Sequence, residues 1–288
     1  MDIGFIGLGV MGRPMAANLV AAGHRLTVHR ESAAAREALG ERARFARSVA
    51  EVTRNSEVVL LMLPDTPDVE AVMRADDGVL AALRPGTLVI DMSSISPSAE
   101  RELAGEVAAA GGAYLDAPVS GGEVGAREGT LSIMVGGDRA AVERAMPVFE
   151  VLGGRISHIG GAGAGQVAKV ANQIVVGVTI EAVAEALRLA EAADVDPGAV
   201  WDALLGGFAS SRVLEVHGAR MIKGEFEPGF RMALHRKDLG LAVEASARLD
   251  VALPASGLVH QLMNSAVAKG LGDHDHSALR LLLDGRRD

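Results

Sequence analysis

Lys169 stands apart from the other charged residues of this chain. Between Arg155 and Glu181 it is the only formally charged side chain, and it sits in an otherwise apolar, helix-forming stretch. A lysine on a solvated face ordinarily has charged company, so this one is expected to be buried or to line a site. Burial disfavours the ammonium form, which suits a group that exchanges protons near neutrality. Gln166 lies three positions before it, and Asn172 and Gln173 three and four after, so these side chains share one helix face. The bland alternative is a lysine that reaches solvent from a domain interface along its aliphatic stem.

A second candidate segment is Asp116-Ala117-Pro118-Val119-Ser120-Gly121-Gly122, which follows a strand-like run. Ser120, Gly121 and Gly122 can present consecutive backbone N–H groups and a hydroxyl to a carboxylate, as an anion-binding nest. A plain turn would use the same residues. A third runs from Phe230 to Leu239 and holds Arg231, His235, Arg236 and Lys237, whose charge could hold an acidic ligand or form a solvated face. Asp273, His274, Asp275 and His276 fit no standard zinc spacing. They read as a loop capping the last helix, and no metal site is expected.

These groups need a scaffold, and the first half of the chain supplies its pattern. Residues 3–6 read as a strand, 11–22 as a helix and 25–29 as a second strand followed by an alanine-rich helix. The run EVVLLML at 57–63 is continuously apolar, as in a strand buried on both faces, and TLVIDM at 87–92 repeats it. AYLDAPV and TLSIMVGG follow. Such alternation predicts a doubly wound, mostly parallel sheet. Gly7, Gly9 and Gly12 form G-x-G-x-x-G, with Met11 inside it, directly after the first strand and at the start of a helix. That is the dinucleotide-binding context: a tight turn, close approach of a pyrophosphate, and close helix–strand packing.

The second strand ends at His29, Arg30, Glu31 and Ser32. Arg30 and Ser32 could hold a 2′-phosphate and favour NADP, whereas Glu31 turned inward would favour NAD; NADP is slightly preferred. Leu63 and Pro64 follow the third expected strand and Ser94 the fourth, both at strand ends where ligands bind in open α/β sheets. Ser94 could instead be a helix cap before Pro97.

After about residue 160 strand-like runs stop. Residues 165–193 read as one long helix rich in Ala and Val, with helices continuing to about 270. The glycine cluster at 160–165 marks the expected boundary. The fold class is α/β: an N-terminal doubly wound Rossmann domain at 1–162, then an all-α domain at 163–288 for substrate and dimerisation. The long helix is too apolar around its circumference for a surface helix, which points to burial, including against a second subunit.

Composition narrows the function class. A net charge of −9 argues against a nucleic-acid partner. The absence of cysteine excludes disulfides, thiolate metal sites and a cysteine nucleophile. The N-terminal run has no basic leader and is broken by glycines, and no stretch holds about 18 uninterrupted apolar residues. A soluble, cytoplasmic homodimer or homotetramer acting on a small carboxylate, with no membrane partner, is expected.

The motifs GFIGLGVMGRPMAANL, DAPVSGG, GAGAGQVAKVANQ and KDLGLA run in register almost end to end and resemble the β-hydroxyacid dehydrogenase family. The resemblance implies hydride transfer between NAD(P)H and a small β-hydroxyacid or its semialdehyde. It implies that Lys169 is the catalytic general acid/base, with Asn172 as its partner at the substrate. Ser120, Gly121 and Gly122 would bind the substrate carboxylate, while Ser94 and Lys237 would contact the cofactor. The segments MLPDTP, IDMSSISP, GGFASSRVLE, EPGFRMALHRKDL and DHSAL are most similar to the branch that reduces tartronate semialdehyde. The other substrates are 3-hydroxyisobutyrate and 3-hydroxypropionate. Imine reductases, which share the fold, usually lack the lysine. A non-catalytic nucleotide-binding module is the alternative from a different class.

Overall fold

The computed structural model describes residues 1–29 and 32–283. The chain divides into two compact units, Met1–Lys169 and the part from Val170 onward. The division falls inside a helix, a few residues past the glycine cluster.

Unit 1 is built on strands β1 (Asp2–Ile6), β2 (Arg25–His29), β3 (Ala43–Ala46), β4 (Val58–Leu61), β5 (Leu88–Asp91), β6 (Ala113–Asp116), β7 (Val119–Ser120), β8 (Leu131–Gly137) and β9 (Gly153–Gly160). Their order is β3-β2-β1-β4-β5-β6-β8-β7, with β9 paired to β8. The first six strands are parallel, while β8 runs antiparallel to β6 and β7. This is the doubly wound order, with its switch point between β1 and β4. The intervening helices are α1 (Gly12–Ala21), α2 (Ala33–Leu39), α3 (Val49–Arg54), α4 (Thr66–Arg74), α5 (Val79–Ala82), α6 (Pro97–Ala109), α7 (Gly122–Glu128) and α8 (Arg139–Leu152).

The central strands are apolar throughout because each feeds two cores. Ile3, Phe5, Val58, Leu60, Leu88 and Ile90 pack with α1 and α8 residues such as Met15, Leu19 and Phe149. Ile6, Val59, Leu61 and Val89 face the opposite layer, against Val69, Met73 and Leu103. The period of two along each strand thus divides one apolar run between two faces. Sequence pattern did not reveal β3 or β9. Both are edge strands that carry exposed residues, and an edge needs no double-sided apolar run.

From Val170 onward the described residues are mostly helical: the rest of α9 (Ala164–Ala192), then α10 (Pro197–Leu205), α11 (Ala219–Lys223), α12 (Met232–Leu249) and α13 (Pro254–Ala266), with π-helical segments at Leu214–Gly218 and Val267–Leu271 and a final 3-10 helix at His276–Leu282. Ile180, Val183, Ala184 and Leu187 of α9 form a core with Leu239, Val259, Met263 and Leu279. By length and mean hydropathy α9 is long and apolar enough to cross a bilayer, but this core accounts for the apolar face it buries. The loop from Asp273 caps as expected: Asp275 accepts the Ser277 N–H at the start of the final helix.

The start of α9 is fastened to the sheet by buried polar groups of unit 1. Asp116, at the end of β6, accepts the N–H of Gly163 (2.7 Å) and of Gln166 (2.9 Å), so a carboxylate caps the positive end of the helix. Gly165 is needed here, since a Cβ would lie 2.3 Å from the Met134 carbonyl oxygen. The Gln166 amide donates to the Ser93 carbonyl (2.8 Å) and to Glu100 Oε1 (2.6 Å), and it accepts from the Ile95 N–H. The Tyr114 hydroxyl contacts Glu100 Oε2 at 2.5 Å. Burial, then the neighbouring Asp91 and Asp116 carboxylates, push the Glu100 carboxyl well above its usual range. Glu100 is therefore held as a neutral acid.

Two predictions follow from this framework. A Cβ on Gly12 would lie 1.9 Å from the Gly7 carbonyl oxygen, so Gly12→Ala should cost about 1–3 kcal/mol or more in urea unfolding. Because the Glu100 carboxyl is raised in the fold, the unfolded chain ionises first as pH rises, and wild-type stability falls above the ordinary carboxylate range. Glu100→Gln keeps an acceptor for Gln166 and a donor for Tyr114 but cannot ionise. It should gain on wild type by up to about 1.4 kcal/mol per pH unit across that window. Parallel stability curves from pH 5 to 8 would contradict a neutral Glu100.

Candidate active site

The glycine turn after β1 divides its labour among three positions. Gly7 takes φ +104°, and a Cβ there would lie 2.2 Å from the Met62 carbonyl oxygen. Gly12 lets α1 close onto Gly7, whereas a Cβ at Gly9 would meet no protein atom within 4 Å. The middle glycine thus leaves the turn open on the side from which a pyrophosphate approaches. Met11 is the N-cap position of α1, and no side chain caps that helix. Its first N–H groups therefore suit an anion, and the residues present fit a dinucleotide.

The neighbouring strand ends converge on the same edge. The Leu63 N–H donates to Ser93 Oγ (2.9 Å), tying the loop after β4 to that after β5. In that loop Leu63 is half-buried and Pro64 is exposed. Ser94 is half-buried, and the cap of α6 is Ser96, so the reading of Ser94 as a helix cap does not hold. Ser32 caps α2 by accepting the Ala35 N–H (3.1 Å), which leaves its hydroxyl hydrogen to donate elsewhere. Arg30 and Glu31 lie outside the described residues.

Ser120 ends β7 and pairs with Ser132. Gly121 and Gly122 then take φ +132° and +62°, conformations that L side chains rarely adopt, and lead into α7 without a side-chain cap. The backbone of this segment thus stands at a turn and a helix start.

Lys169 is 7% exposed, six residues into α9, and Asn172 follows on the same helix. The burial expected from its isolation in the sequence is what the structure has. Asn172 Nδ2 donates to Gln173 Oε1 (2.8 Å), and Gln173 Nε2 donates to Asp238 Oδ2 (2.6 Å). Asp238 is paired with Lys237 at 3.0 Å. Asn172 and the KDL segment are thereby joined through Gln173 and Asp238, within unit 2. Sequence reasoning put Gln173 on the catalytic face but missed Asp238, Asp116 and Glu100 as supports. Only the D of KDL and of DAPVSGG, each inside a quoted motif, hinted at the first two.

Comparison with known proteins agrees with this geometry. Residues 2–160 match the model for the NAD binding domain of 6-phosphogluconate dehydrogenase, and residues 163–283 that for the NAD-binding domain of NADP-dependent 3-hydroxyisobutyrate dehydrogenase. The chain is 53% identical to 2-hydroxy-3-oxopropionate reductase of Escherichia coli over 97% of its own length and 96% of that protein. It is 38% identical to an NAD-dependent L-serine dehydrogenase of Pseudomonas aeruginosa, covering 98% of each chain. The structure of Mycobacterium tuberculosis 3-hydroxyisobutyrate dehydrogenase with L-serine superposes with a TM-score of 0.91 at 38% identity, covering 99% of both chains. An imine reductase of Myxococcus stipitatus, at 20% identity and TM-score 0.66, shares the fold. With a glycine turn built for a dinucleotide and a buried lysine on the helix that follows the sheet, the chain belongs to the 3-hydroxyisobutyrate dehydrogenase-like family and is an NAD(P)-dependent β-hydroxyacid dehydrogenase.

Proposed function

We propose that the protein reduces tartronate semialdehyde to glycerate, with Lys169 as the general acid and NADPH preferred to NADH. The observation that carries the reading is the burial of Lys169, 7% exposed, on a helix whose start is capped by Asp116 and whose next turn carries Asn172. The 53% identity to 2-hydroxy-3-oxopropionate reductase along nearly the whole of both chains supports this choice of substrate.

The roles divide by chemistry. Ser120, Gly121 and Gly122 hold the substrate carboxylate with backbone N–H groups and a hydroxyl. Asn172 orients the oxygen of the reacting carbonyl. Gly7, Gly9, Met11, Gly12, Leu63, Pro64 and Ser94 bind the dinucleotide, with Lys237 contributing positive charge. When bound, the reduced nicotinamide supplies the hydride to the aldehyde carbon. Lys169 gives a proton to the oxygen as its negative charge develops, and as a neutral amine takes that proton back in the oxidative direction. Arg30 and Ser32 favour the 2′-phosphate of NADPH. The exposed Val175 and Leu189 on α9 support a homodimer or homotetramer.

Lys169→Ala should lower turnover by roughly two to four orders of magnitude while cofactor affinity barely changes. Near-normal turnover would overturn the role of Lys169. The rates of NADH and NADPH oxidation with tartronate semialdehyde test substrate and cofactor together. Arg30→Ala should shift the ratio toward NADH by about tenfold, the effect of about 1.4 kcal/mol. Turnover with L-serine or 3-hydroxyisobutyrate in place of tartronate semialdehyde would move the substrate to another β-hydroxyacid.

A further inference from the structure

Unit 2 contains a row of three histidines that the reaction above does not use. His235 on α12 sets its Nε2 3.0 Å from the Gln173 carbonyl oxygen and its Nδ1 2.8 Å from Nδ1 of His276. Nε2 of His276 lies 3.2 Å from Nε2 of His217, whose Nδ1 faces Asp275 Oδ1 at 3.5 Å. The Phe230 ring closes one side, with its centroid 5.9 Å from His235 and 5.6 Å from His276. His235 is fully buried and His276 is 5% exposed.

The ends of the row decide what it is. His217, Asp275 and His276 bring ligand atoms within 4.8 Å of one another, a spacing a cation could use. Asp275, however, already accepts the N–H groups of Gly229, Phe230 and Ser277 and the Ser277 hydroxyl, and it pairs with Arg220 at 3.1 Å. Its lone pairs are occupied, and a guanidinium stands where a dication would be repelled. The cluster is a hydrogen-bonded chain.

Counting protons fixes its state. The Gln173 carbonyl only accepts, so His235 Nε2 carries a hydrogen, and each of the two nitrogen–nitrogen contacts needs one more. Three neutral rings supply those three hydrogens and leave a lone pair of His217 Nδ1 facing the buried Asp275 carboxylate. A fourth hydrogen turns that repulsion into an ion pair. Burial first, and then the His235 ring, push His276 well below the usual range. The other charged groups facing the row are Arg220 on α11 and Asp275, with the Asp238–Lys237 pair of α12 at the Gln173 end.

At the Gln173 end the row meets the active-site helix. The carbonyl it grips belongs to the residue whose side chain accepts from Asn172. Gly177 makes the grip possible, since a Cβ there would stand 3.2 Å from His235 Nε2.

We propose that His235, His276 and His217 are positioning residues of the active site. Loaded with one proton beyond three neutral rings, they tie the Asp275 turn to the Gln173 carbonyl and so hold the turn of α9 that carries Asn172. This role rests on the reading of Asn172 as the substrate-orienting residue.

The proton count is tested on the wild-type protein by 15N–1H spectra of the histidine ring nitrogens. Four slowly exchanging imidazole hydrogens for these rings near neutral pH are expected, and three would overturn the proposal. His217→Gln keeps a donor for His276 but cannot take the extra proton. It should raise the substrate KM about fivefold to twentyfold while leaving kcat and the NADPH Kd unchanged. Gly177→Ala, which crowds His235, should likewise raise KM with kcat retained. Wild-type KM in a folded His217→Gln variant would overturn the positioning role. So would stoichiometric Zn2+ binding by the wild type that His276→Ala abolishes. A wild type inactive on every β-hydroxyacid would overturn the functional reading instead, with the ring spectra still testing the row itself.

Discussion

The carboxylate of Asp116 is the constraint on which the helix that carries Lys169 depends. It takes the first free amides of α9 at the end of a central strand, where both the helix dipole and two N–H donors stabilise a negative charge. A helix end buried without such a partner would leave unsatisfied donors, each costing about 1–3 kcal/mol. Lys169 is only one turn beyond this cap, so its place relative to the sheet follows from the cap more than from its own contacts. Gly165 serves the same end, because a side chain there would collide with the Met134 carbonyl and with Asp116 itself.

Around that anchor the protein handles buried carboxylates in opposite ways. Glu100 is desolvated among other acids and kept neutral, so it can bridge Gln166 and Tyr114 without a counter-charge. Asp275 is surrounded by N–H groups, a hydroxyl, a guanidinium and an imidazole, which hold it far below the usual carboxylate range despite its burial. Both serve positioning. The first joins Gln166 of α9 to Tyr114 of β6, and the second stands at the end of the histidine row.

Gln173 joins several elements of unit 2. Its amide spans Asn172 and Asp238, and its backbone carbonyl meets His235. One side chain thereby links α9 to the helix that carries Lys237. Such satisfied polar networks in a low-dielectric interior hold geometry closely, because leaving any member unpaired is costly.

Much of this was legible in the chain itself. The doubly wound sheet, the glycine turn, the long helix and the isolation of Lys169 all follow from local pattern: apolar runs with a period of two or 3.6, and residue types required by one turn or one helix. Edge strands β3 and β9 escaped notice because their exposed positions carry no such pattern. Which of Ser94 and Ser96 caps α6 depended on a backbone path that composition does not specify. The partnerships that position the site were beyond reach for a different reason. Asp116 meets residues 47 and 50 positions away, Gln173 meets Asp238 across 65, and His235 meets His276 across 41. Local sequence determines elements and the residues they present. Only folding brings distant polar groups together and removes the water that would otherwise satisfy them, and that desolvation makes each partner necessary.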